Sequence, residues 1–237
     1  MVRWADNIAR VEQWLLPPAC LTCHAPVSGD DALVCGVCRA RWRPLPHPCC
    51  DRCGEPTPLR IACRVCADWP PDFGPVRSAV RLDAAARPVV HQFKYQGWRR
   101  LAELLAMRML PLVEPFGDVD LVPVPLAPGR RRVRGYNQAE ELASALRRLT
   151  GLPLAPHRLH RLRETLTQTR LTPESRRANL ADAFAAQAGS RPALLVDDVF
   201  TTGATLLSAA GVLLDGGAAQ VGAVTFARAV GLELVLR

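Results

Sequence analysis

The sequence predicts an α/β fold in which helices flank a parallel sheet and a small cysteine-rich module comes first. One observation is the apolar run at residues 193–196, which has no polar interruption and is typical of a parallel strand buried on both faces. A second is the helical spacing of the apolar residues at 206–214, which two glycines follow. The third is that all nine cysteines lie within residues 20–66.

Composition and cysteine placement divide the chain into parts. A chain of 237 residues that is 49% hydrophobic can bury a substantial core. The predicted parts are an N-terminal helix at residues 1–18, a double cysteine ribbon at 19–67, a linker at 68–75 and a globular domain at 76–237. The linker is predicted from its three prolines and one glycine.

The first residues do not resemble an export signal. Asp6 and Glu12 interrupt the N-terminal apolar residues, and no apolar run approaches the roughly 18 residues that cross a bilayer. We therefore expect a soluble, cytoplasmic protein with no membrane partner. In that reducing compartment, paired cysteines are more often zinc ligands than disulfides.

Eight of the nine cysteines form four Cys-x-x-Cys pairs, and two such pairs supply the four thiolates of a closed tetrahedral zinc site. The predicted metal ligands are Cys20, Cys23, Cys35, Cys38, Cys50, Cys53, Cys63 and Cys66. They predict two structural Zn²⁺ ions. Sequential pairing is favoured, although a cross-braced arrangement uses the same residues. Cys49 is either a substitute ligand or a free thiol.

The formal net charge of +8 indicates an anionic partner. Two zinc sites with four thiolates each would lower this charge to about +4. The remainder suits an anionic ligand or weak binding of nucleic acid, and is diagnostic of neither. Arg39, Arg41, Trp42 and Arg43 combine charge with an aromatic ring, as nucleic-acid surfaces do. A solvated rim around a stabilising metal explains them equally well.

The elements of the first half are predicted from periodicity. An apolar stripe in residues 1–16 predicts a short docking helix, and alternation over 76–82 predicts a strand. Pro88 opens a helix that carries Lys94, and a second helix covers 101–112. Lys94 is the only lysine in a chain that otherwise uses arginine, which indicates either a need for a compact ammonium or a compositional leftover.

The second half is predicted in the same way. A buried strand covers 121–126, and Asn137 caps a helix that ends at Gly151. Glu140 is expected to complete a capping-box pair with Asn137. The residues predicted to face inward from this helix are Ala139, Leu142, Ala143, Leu146 and Leu149. Further strands are predicted at 152–159 and 220–227.

Two carboxylates and a threonine-rich turn follow the strand at 193–196, at the edge of a sheet where open α/β proteins bind ligands. Asp197 and Asp198 suit the hydroxyls of a sugar, directly or through a divalent cation. The turn lies at a helix N-terminus, where free N–H groups and the helix dipole favour a phosphate. Its residues are Thr201, Thr202, Gly203, Ala204 and Thr205. A phosphorylated sugar fits both halves.

Residues 193–205 resemble, over their whole length, the PRPP-binding motif of type I phosphoribosyltransferases. The resemblance implies a type I phosphoribosyltransferase-like parallel sheet in the domain at 76–237. It also implies that Asp197 and Asp198 hold the ribose hydroxyls, that residues 201–205 hold the 5′-phosphate of PRPP, and that Mg²⁺ binds together with PRPP.

The cysteine module and two further segments, residues 93–97 and 134–138, resemble the ComF family. These bacterial proteins have a zinc-ribbon head and a phosphoribosyltransferase-like body. In type I phosphoribosyltransferases an early loop binds pyrophosphate, which implies that role for Arg130 and Arg134. The residues that the resemblance and their chemistry mark as catalytic are Lys94, Arg134, Asp197 and Asp198.

A long polar segment at residues 165–180 has no apolar stripe and is either a lid or a disordered loop. Its place in the chain matches the mobile catalytic loop of the related enzymes. Gln168, Arg170 and Arg177 are the residues expected to close over the ligand.

Three functions follow from these observations. The first is transfer of phosphoribose from PRPP to an acceptor, although too few residues follow the last strand for a substantial hood over an acceptor. The second is handling of single-stranded DNA during natural transformation, alone or with a competence helicase, since the resemblance to ComF proteins implies an association with DNA uptake. The third is a PRPP-sensing partner protein with neither activity.

Overall fold

Four parallel strands form the central sheet of the computed structural model, which describes residues 18–27, 33–57, 63–162 and 183–230. In chain order the strands are β1 (Phe73–Arg81), β2 (Asp120–Pro123), β3 (Leu159–Arg161), β4 (Phe184–Ala186), β5 (Ala193–Phe200) and β6 (Val221–Arg228). The sheet has the order β1-β6-β5-β2. β3 and β4 pair separately and are antiparallel. The α/β class predicted from sequence is confirmed.

At least one described helix lies between each strand of the central sheet and the next one along the chain, as parallel pairing requires. They are α1 (Gly36–Ala40), α2 (Arg87–Tyr95), α3 (Leu101–Val113), α4 (Pro128–Arg134), α5 (Gln138–Thr150) and α6 (Ala204–Asp215). Short 3-10 turns occupy Glu114–Phe116 and Pro156–Arg158. No helix in the described ranges is both long enough and apolar enough to cross a membrane.

Each face of the sheet carries its own core. Leu194 and Val196 of β5 pack in the core that includes α2, α3 and α5. Ala193 and Leu195 point to the opposite face and pack in the core that includes α6. The short side chains of α6, with alanine at 209 and 210, let this helix lie close to the sheet. A strand buried on both faces therefore leads directly to the acid pair.

The cysteine-rich module covers the outer edge of β1. Its first half contributes buried residues to the core around α2 and α3, and its second half contributes to the core around α6. The N–H of Arg81 donates to the carbonyl of Arg43, and the N–H of Val76 donates to the carbonyl of Arg52, both at 2.8 Å. The module thus satisfies backbone groups that an exposed edge strand would leave unpaired.

The capped helix α5 begins and ends where the sequence predicts. The Asn137 side chain accepts a hydrogen bond from the N–H of Ala139 at 3.1 Å, and Gly151 adopts the left-handed conformation with φ of 76°. Two details were wrong. Glu140 does not complete a capping box, because its carboxylate accepts from the guanidinium of Arg131 at 3.0 and 3.2 Å. Leu149 is exposed, since it falls beyond the buried face of the last turn.

The strand predicted at 152–159 was also wrong. Only Leu154 bridges to Leu121 of β2, and a 3-10 turn follows at Pro156–Arg158. Prolines at 153 and 156 remove two N–H donors and prevent a continuous ladder. β1 starts at Phe73, so the last three residues of the predicted linker belong to the strand. The predicted N-terminal helix falls almost entirely on residues 1–17, outside the described part of the chain.

Candidate functional site

The acid pair lies inside β5, which continues beyond the apolar run to Phe200. Consecutive residues of a strand point to opposite faces, so Asp197 and Asp198 do not lie side by side. Asp198 continues the row of Leu194 and Val196 and is 5% exposed, whereas Asp197 is half-buried. The sequence did not predict this difference between the two carboxylates.

Asp198 has a charged partner on α2. Its Oδ1 lies 2.9 Å from the Nζ of Lys94, whose side chain is 21% exposed. The ammonium therefore neutralises a carboxylate that would otherwise be buried without a counter-ion. The structure brings Lys94 together with the acid pair across 104 residues of sequence, which no local pattern indicated.

Asp197 has no directly paired cation among the described residues, but charges of both signs lie near it. Its Oδ1 accepts a hydrogen bond from the N–H of Asp198 at 2.8 Å. Burial, and next the negative charge of Asp198, raise the pKa of the Asp197 carboxyl to about 7, although the charges of Lys94 and Arg161 oppose the shift. A carboxyl that titrates near neutrality can hold hydrogen-bond donors when ionised and can also take up a proton.

The threonine loop, residues 201–205, turns the chain from β5 into α6. Gly203 is the N-cap of α6, with φ of 78°, and it supplies no side chain to bond the first N–H groups of the helix. The first turn carries no acidic residue. Thr202 is exposed and Thr201 is half-buried. The first N–H groups of a helix have no partner within the helix, and they lie at the positive end of its dipole. Together with the hydroxyls of Thr201 and Thr202, they suit a phosphate.

Gly203 is needed for packing as well as for its backbone conformation. A Cβ at this position would lie 2.7 Å from Cζ of Phe200 and 3.4 Å from the Trp69 ring. Phe200 and Trp69 therefore lie directly beneath the loop and fix its height above the sheet. The positive φ adds a second reason for glycine.

The two arginines expected at a pyrophosphate lie in different surroundings. Arg134, the last residue of α4, donates to the Gln138 side chain at 3.0 Å and to the Tyr95 hydroxyl at 3.3 Å, and its guanidinium stacks 4.8 Å from the centre of the Tyr95 ring. Arg134 thus contacts α2, the helix that also carries Lys94. Arg130 is exposed.

Arg161 of β3 is a candidate site residue that the sequence analysis did not name. Burial, and next the charge of Arg130, lower the pKa of its guanidinium, and Asp197 opposes that shift. Arg161 therefore lies within electrostatic reach of both Arg130 and Asp197. Nothing in its local sequence separates it from the other arginines of the chain.

A cavity of about 270 Å³ opens beside Arg161 at the carboxyl end of β2. Its lining residues include Pro123, Leu126, Arg131, His160 and Arg161. Pro123 pairs with Val196, the residue before Asp197, so the cavity lies one strand away from the acid pair. The loop residues Gln168, Arg170 and Arg177 lie in segment 163–182, outside the described residues.

The eight predicted metal ligands form two clusters of four. Within each cluster the sulfurs lie within 4.8 Å of one another, and the groups are Cys20, Cys23, Cys35 and Cys38, then Cys50, Cys53, Cys63 and Cys66. This grouping is the sequential one rather than the cross-braced one. Sulfur separations of 3.8, 3.6 and 3.5 Å agree with the roughly 3.8 Å between thiolates in a tetrahedral zinc site.

The first cysteine of each cluster receives backbone hydrogen bonds. Burial raises the pKa of the Cys20 thiol, but the N–H groups of Cys35, Cys23 and Thr22 lower it by more. The resulting pKa is about 6. N–H donors act in the same way on Cys50, whose pKa is lowered to about 7. These donors stabilise thiolates, the form that binds zinc.

Two residues near the clusters have other roles. Cys49 is not among the eight clustered cysteines, and its sulfur lies 3.6 Å from Nδ1 of His47. Trp42 is buried and packs edge-on against Phe226, with the ring centres 5.3 Å apart. The expectation that Trp42 offers a surface for nucleic acid was therefore wrong, because its ring anchors the module to the domain.

Comparisons with known proteins agree with the two cysteine clusters. Residues 11–67 match the family model described as a double zinc ribbon domain. The chain is 30% identical over 216 residues to the DNA utilization protein YhgH of Escherichia coli K12, covering 87% of this chain and 95% of the relative. It is 29% identical over 230 residues to the competence protein ComFC of Bacillus subtilis, covering 88% and 94%. It is 30% identical over 203 residues to the competence protein F of Haemophilus influenzae, covering 79% and 86%.

Proposed function

The chain belongs to the ComF family, with its double zinc ribbon, and from that premise we propose that it binds Mg-PRPP at the carboxyl edge of β5. The observation that carries the proposal is the unit formed by Asp197 and the threonine loop. A half-buried carboxylate lies four residues before the first residue of a turn, and that turn opens a helix with no side-chain cap. Such a unit offers an acceptor for sugar hydroxyls and donors for a phosphate on one ligand.

Each part of PRPP has a matching group in this arrangement. The 5′-phosphate suits the N–H groups and hydroxyls of the threonine loop, and the ribose hydroxyls suit Asp197. The charge of Asp198 is balanced by the ammonium of Lys94, so the ion pair as a whole is neutral. The pyrophosphate suits Arg134 and Arg130. Mg²⁺ arrives with the ligand and is held mainly by its oxygens, because magnesium keeps several waters and needs few protein carboxylates.

The same arrangement supports phosphoribosyl transfer. The bond between C1 of the ribose and the pyrophosphate oxygen breaks, a bond from C1 to the acceptor forms, and the acceptor proton leaves to a base. Arginine charges stabilise the departing pyrophosphate, and Lys94 limits the negative charge near it. Asp197, with a pKa of about 7, can accept the proton at neutral pH. The cavity of about 270 Å³ beside Arg161 has room for a small acceptor.

Binding of single-stranded DNA is a second candidate, favoured by one surface. Tyr95 and Trp98 are 57% and 40% exposed, Arg134 stacks on the Tyr95 ring, and Arg100, Arg130 and Arg132 are also exposed. Aromatic rings among arginines suit stacked bases and a phosphate backbone. The relatives named for competence and DNA utilization make this ligand relevant.

A titration panel separates the two candidates. The full-length, zinc-loaded protein is titrated with Mg-PRPP, ribose 5-phosphate, Mg-pyrophosphate and a single-stranded oligonucleotide, the last across a salt series. The proposal predicts that Mg-PRPP binds most tightly and that this binding requires Mg²⁺. DNA binding through phosphates alone weakens steeply with salt. Oligonucleotide binding without any affinity for Mg-PRPP would contradict the proposal and favour the second candidate.

A further inference from the structure

Arg228 connects the second cysteine cluster to the carboxyl edge of the sheet. It is the last residue of β6 and is 1% exposed. Its Nη1 donates to the carbonyl of Cys53 at 2.6 Å. Its Nε and Nη2 both donate to Oε2 of Glu55, at 3.1 and 2.6 Å. The loop that carries Glu55 is closed on the cluster itself, since the N–H of Cys50 donates to the carbonyl of Glu55 at 2.8 Å.

The other side of Arg228 supports the threonine loop. Its guanidinium carbon lies 3.9 Å from the centre of the Phe200 ring, and the two residues are register partners in β5 and β6. The Phe200 ring in turn lies beneath Gly203, where an added Cβ would come within 2.7 Å of it. Glu55, Arg228, Phe200 and Gly203 thus form one continuous series of contacts from the metal cluster to the loop.

This series is well suited to transmit position. A guanidinium that is almost fully buried must keep its charge partner and its acceptors, so its place is set by Glu55 and Cys53. Phe200 is held between Arg228 and Trp69, whose ring centre lies 6.4 Å away. Close-packed interiors transmit displacement rather than absorb it. A shift of the second cluster would therefore reach the loop through two side chains.

We propose that Arg228 is a positioning residue that holds the threonine loop through Phe200, and that the second zinc cluster fixes Arg228 through Glu55 and Cys53. Zinc in this cluster and affinity for a phosphoribosyl ligand are then coupled, although no cysteine contacts that ligand. The ligand half of this inference rests on the proposed binding of Mg-PRPP.

The test compares variants at two side chains that make contacts with the same cysteine loop, residues 50–55. Glu55→Gln removes the carboxylate charge from Arg228 and keeps one acceptor oxygen. Arg77→Met is the matched control, because Arg77 donates to the carbonyl of Asp51 at 2.7 Å, in the same loop, without contacting Phe200. Zinc content and thermal unfolding are measured for both full-length variants. Phe200→Leu is the second test variant, because it breaks the series above the cluster and leaves the Glu55 pair intact.

The inference predicts that Glu55→Gln and Phe200→Leu keep both zinc ions and bind Mg-PRPP about tenfold more weakly, since loss of one hydrogen bond between the loop and the phosphate has an effect of this order. Arg77→Met should bind as the wild type does. Wild-type affinity in both folded test variants, or an equal loss in Arg77→Met, would overturn it. If Glu55→Gln does not fold, Phe200→Leu decides.

Hydrogen exchange separates this inference from the proposed function. If the wild type does not bind Mg-PRPP, the proposed function fails, but the coupling is still measurable on the ligand-free protein. Amides of residues 201–205 should exchange faster in Glu55→Gln than in Arg77→Met. Equal exchange in these two variants would contradict the coupling whatever the ligand is.

Discussion

Lys94 and Asp198 form a buried ion pair, with Nζ 2.9 Å from Oδ1, that joins the end of α2 to the carboxyl half of β5. Lys94 lies in the segment 93–97 that resembles ComF proteins, and Asp198 lies in the segment 193–205 that resembles the PRPP-binding motif. The only lysine of the chain therefore neutralises a carboxylate that is 5% exposed.

Removal of Lys94 should be strongly destabilising. Lys94→Met leaves the buried Asp198 carboxylate without its counter-ion, which should lower the free energy of unfolding by about 3–5 kcal/mol. Urea denaturation measures this change. Adding Asp198→Asn should recover most of the loss. As a control, Arg148→Met breaks an exposed pair with Glu103 and should cost less than about 1 kcal/mol. If Lys94→Met and Arg148→Met lower the free energy of unfolding equally, Lys94 and Asp198 do not form a buried pair.

The pH dependence of stability should report on Asp197. The pKa of this carboxyl is raised from 3.8 to about 7 in the folded protein, so folding favours its protonated form. Its contribution is fully present below the unfolded pKa and is lost as the pH rises through about 7. Asp197→Asn should therefore become more stable relative to the wild type as the pH rises.

Urea denaturation from about pH 5.5 to about pH 8 gives this difference, with the bound zinc counted at both ends of the range because metal affinity depends on pH. The limiting slope between the two proteins is about 1.4 kcal/mol per pH unit. Groups remote from the acid pair titrate alike in both proteins, so the difference reports on Asp197 together with its coupled neighbour Asp198. Parallel curves for the two proteins would show that the carboxyl is not perturbed.

Zinc content should follow the two cysteine clusters. Cys53→Ser should lower the bound zinc from two ions per chain to one, and Cys49→Ser should leave it unchanged, because Cys49 is outside both clusters. Native mass spectrometry counts the ions. A chelator that removes both ions should unfold the module, since metal binding supplies much of the stability of such small units. A Cys49→Ser protein that loses zinc would require a different ligand set.

Gly203 should tolerate no side chain. Gly203→Ala meets a positive φ of 78° and places Cβ 2.7 Å from Phe200, so it should cost about 1–3 kcal/mol of unfolding free energy. Gly211→Ala, in the same helix with no atom within 4 Å of the added Cβ, should instead stabilise by about 0.5–1 kcal/mol. Thermal or urea unfolding of both variants checks the contrast. A neutral Gly203→Ala would show that the loop can relax.

Local sequence patterns predicted those parts of the fold that local physics decides. The cap at Asn137, the stop at Gly151 and the apolar run of β5 each follow from one residue or a short run, and all were confirmed. The strand at 152–159 failed because prolines at 153 and 156 outweighed its apolar residues.

Contacts between distant segments could not be predicted. Lys94 meets Asp198 and Glu55 meets Arg228 only because the parallel sheet places β5 beside β6 and the cysteine module beside β1. Periodicity tells which face a residue occupies and not which residue lies opposite. Arg161 was missed for the same reason. The burial of Trp42 fits neither of the two roles considered from the sequence, because its packing partner, Phe226, is far away in sequence.

The most direct test of the account is the affinity for Mg-PRPP of the wild type, Asp197→Asn and Asp215→Asn, measured by isothermal titration calorimetry at about pH 8, above the raised pKa of Asp197. Asp215 is exposed at the far end of α6 and controls for the loss of one negative charge. The account predicts that the wild type and Asp215→Asn bind Mg-PRPP alike and that Asp197→Asn binds at least about tenfold more weakly. Unchanged binding by Asp197→Asn, or no binding by the wild type, would contradict a phosphoribosyl site at the end of β5.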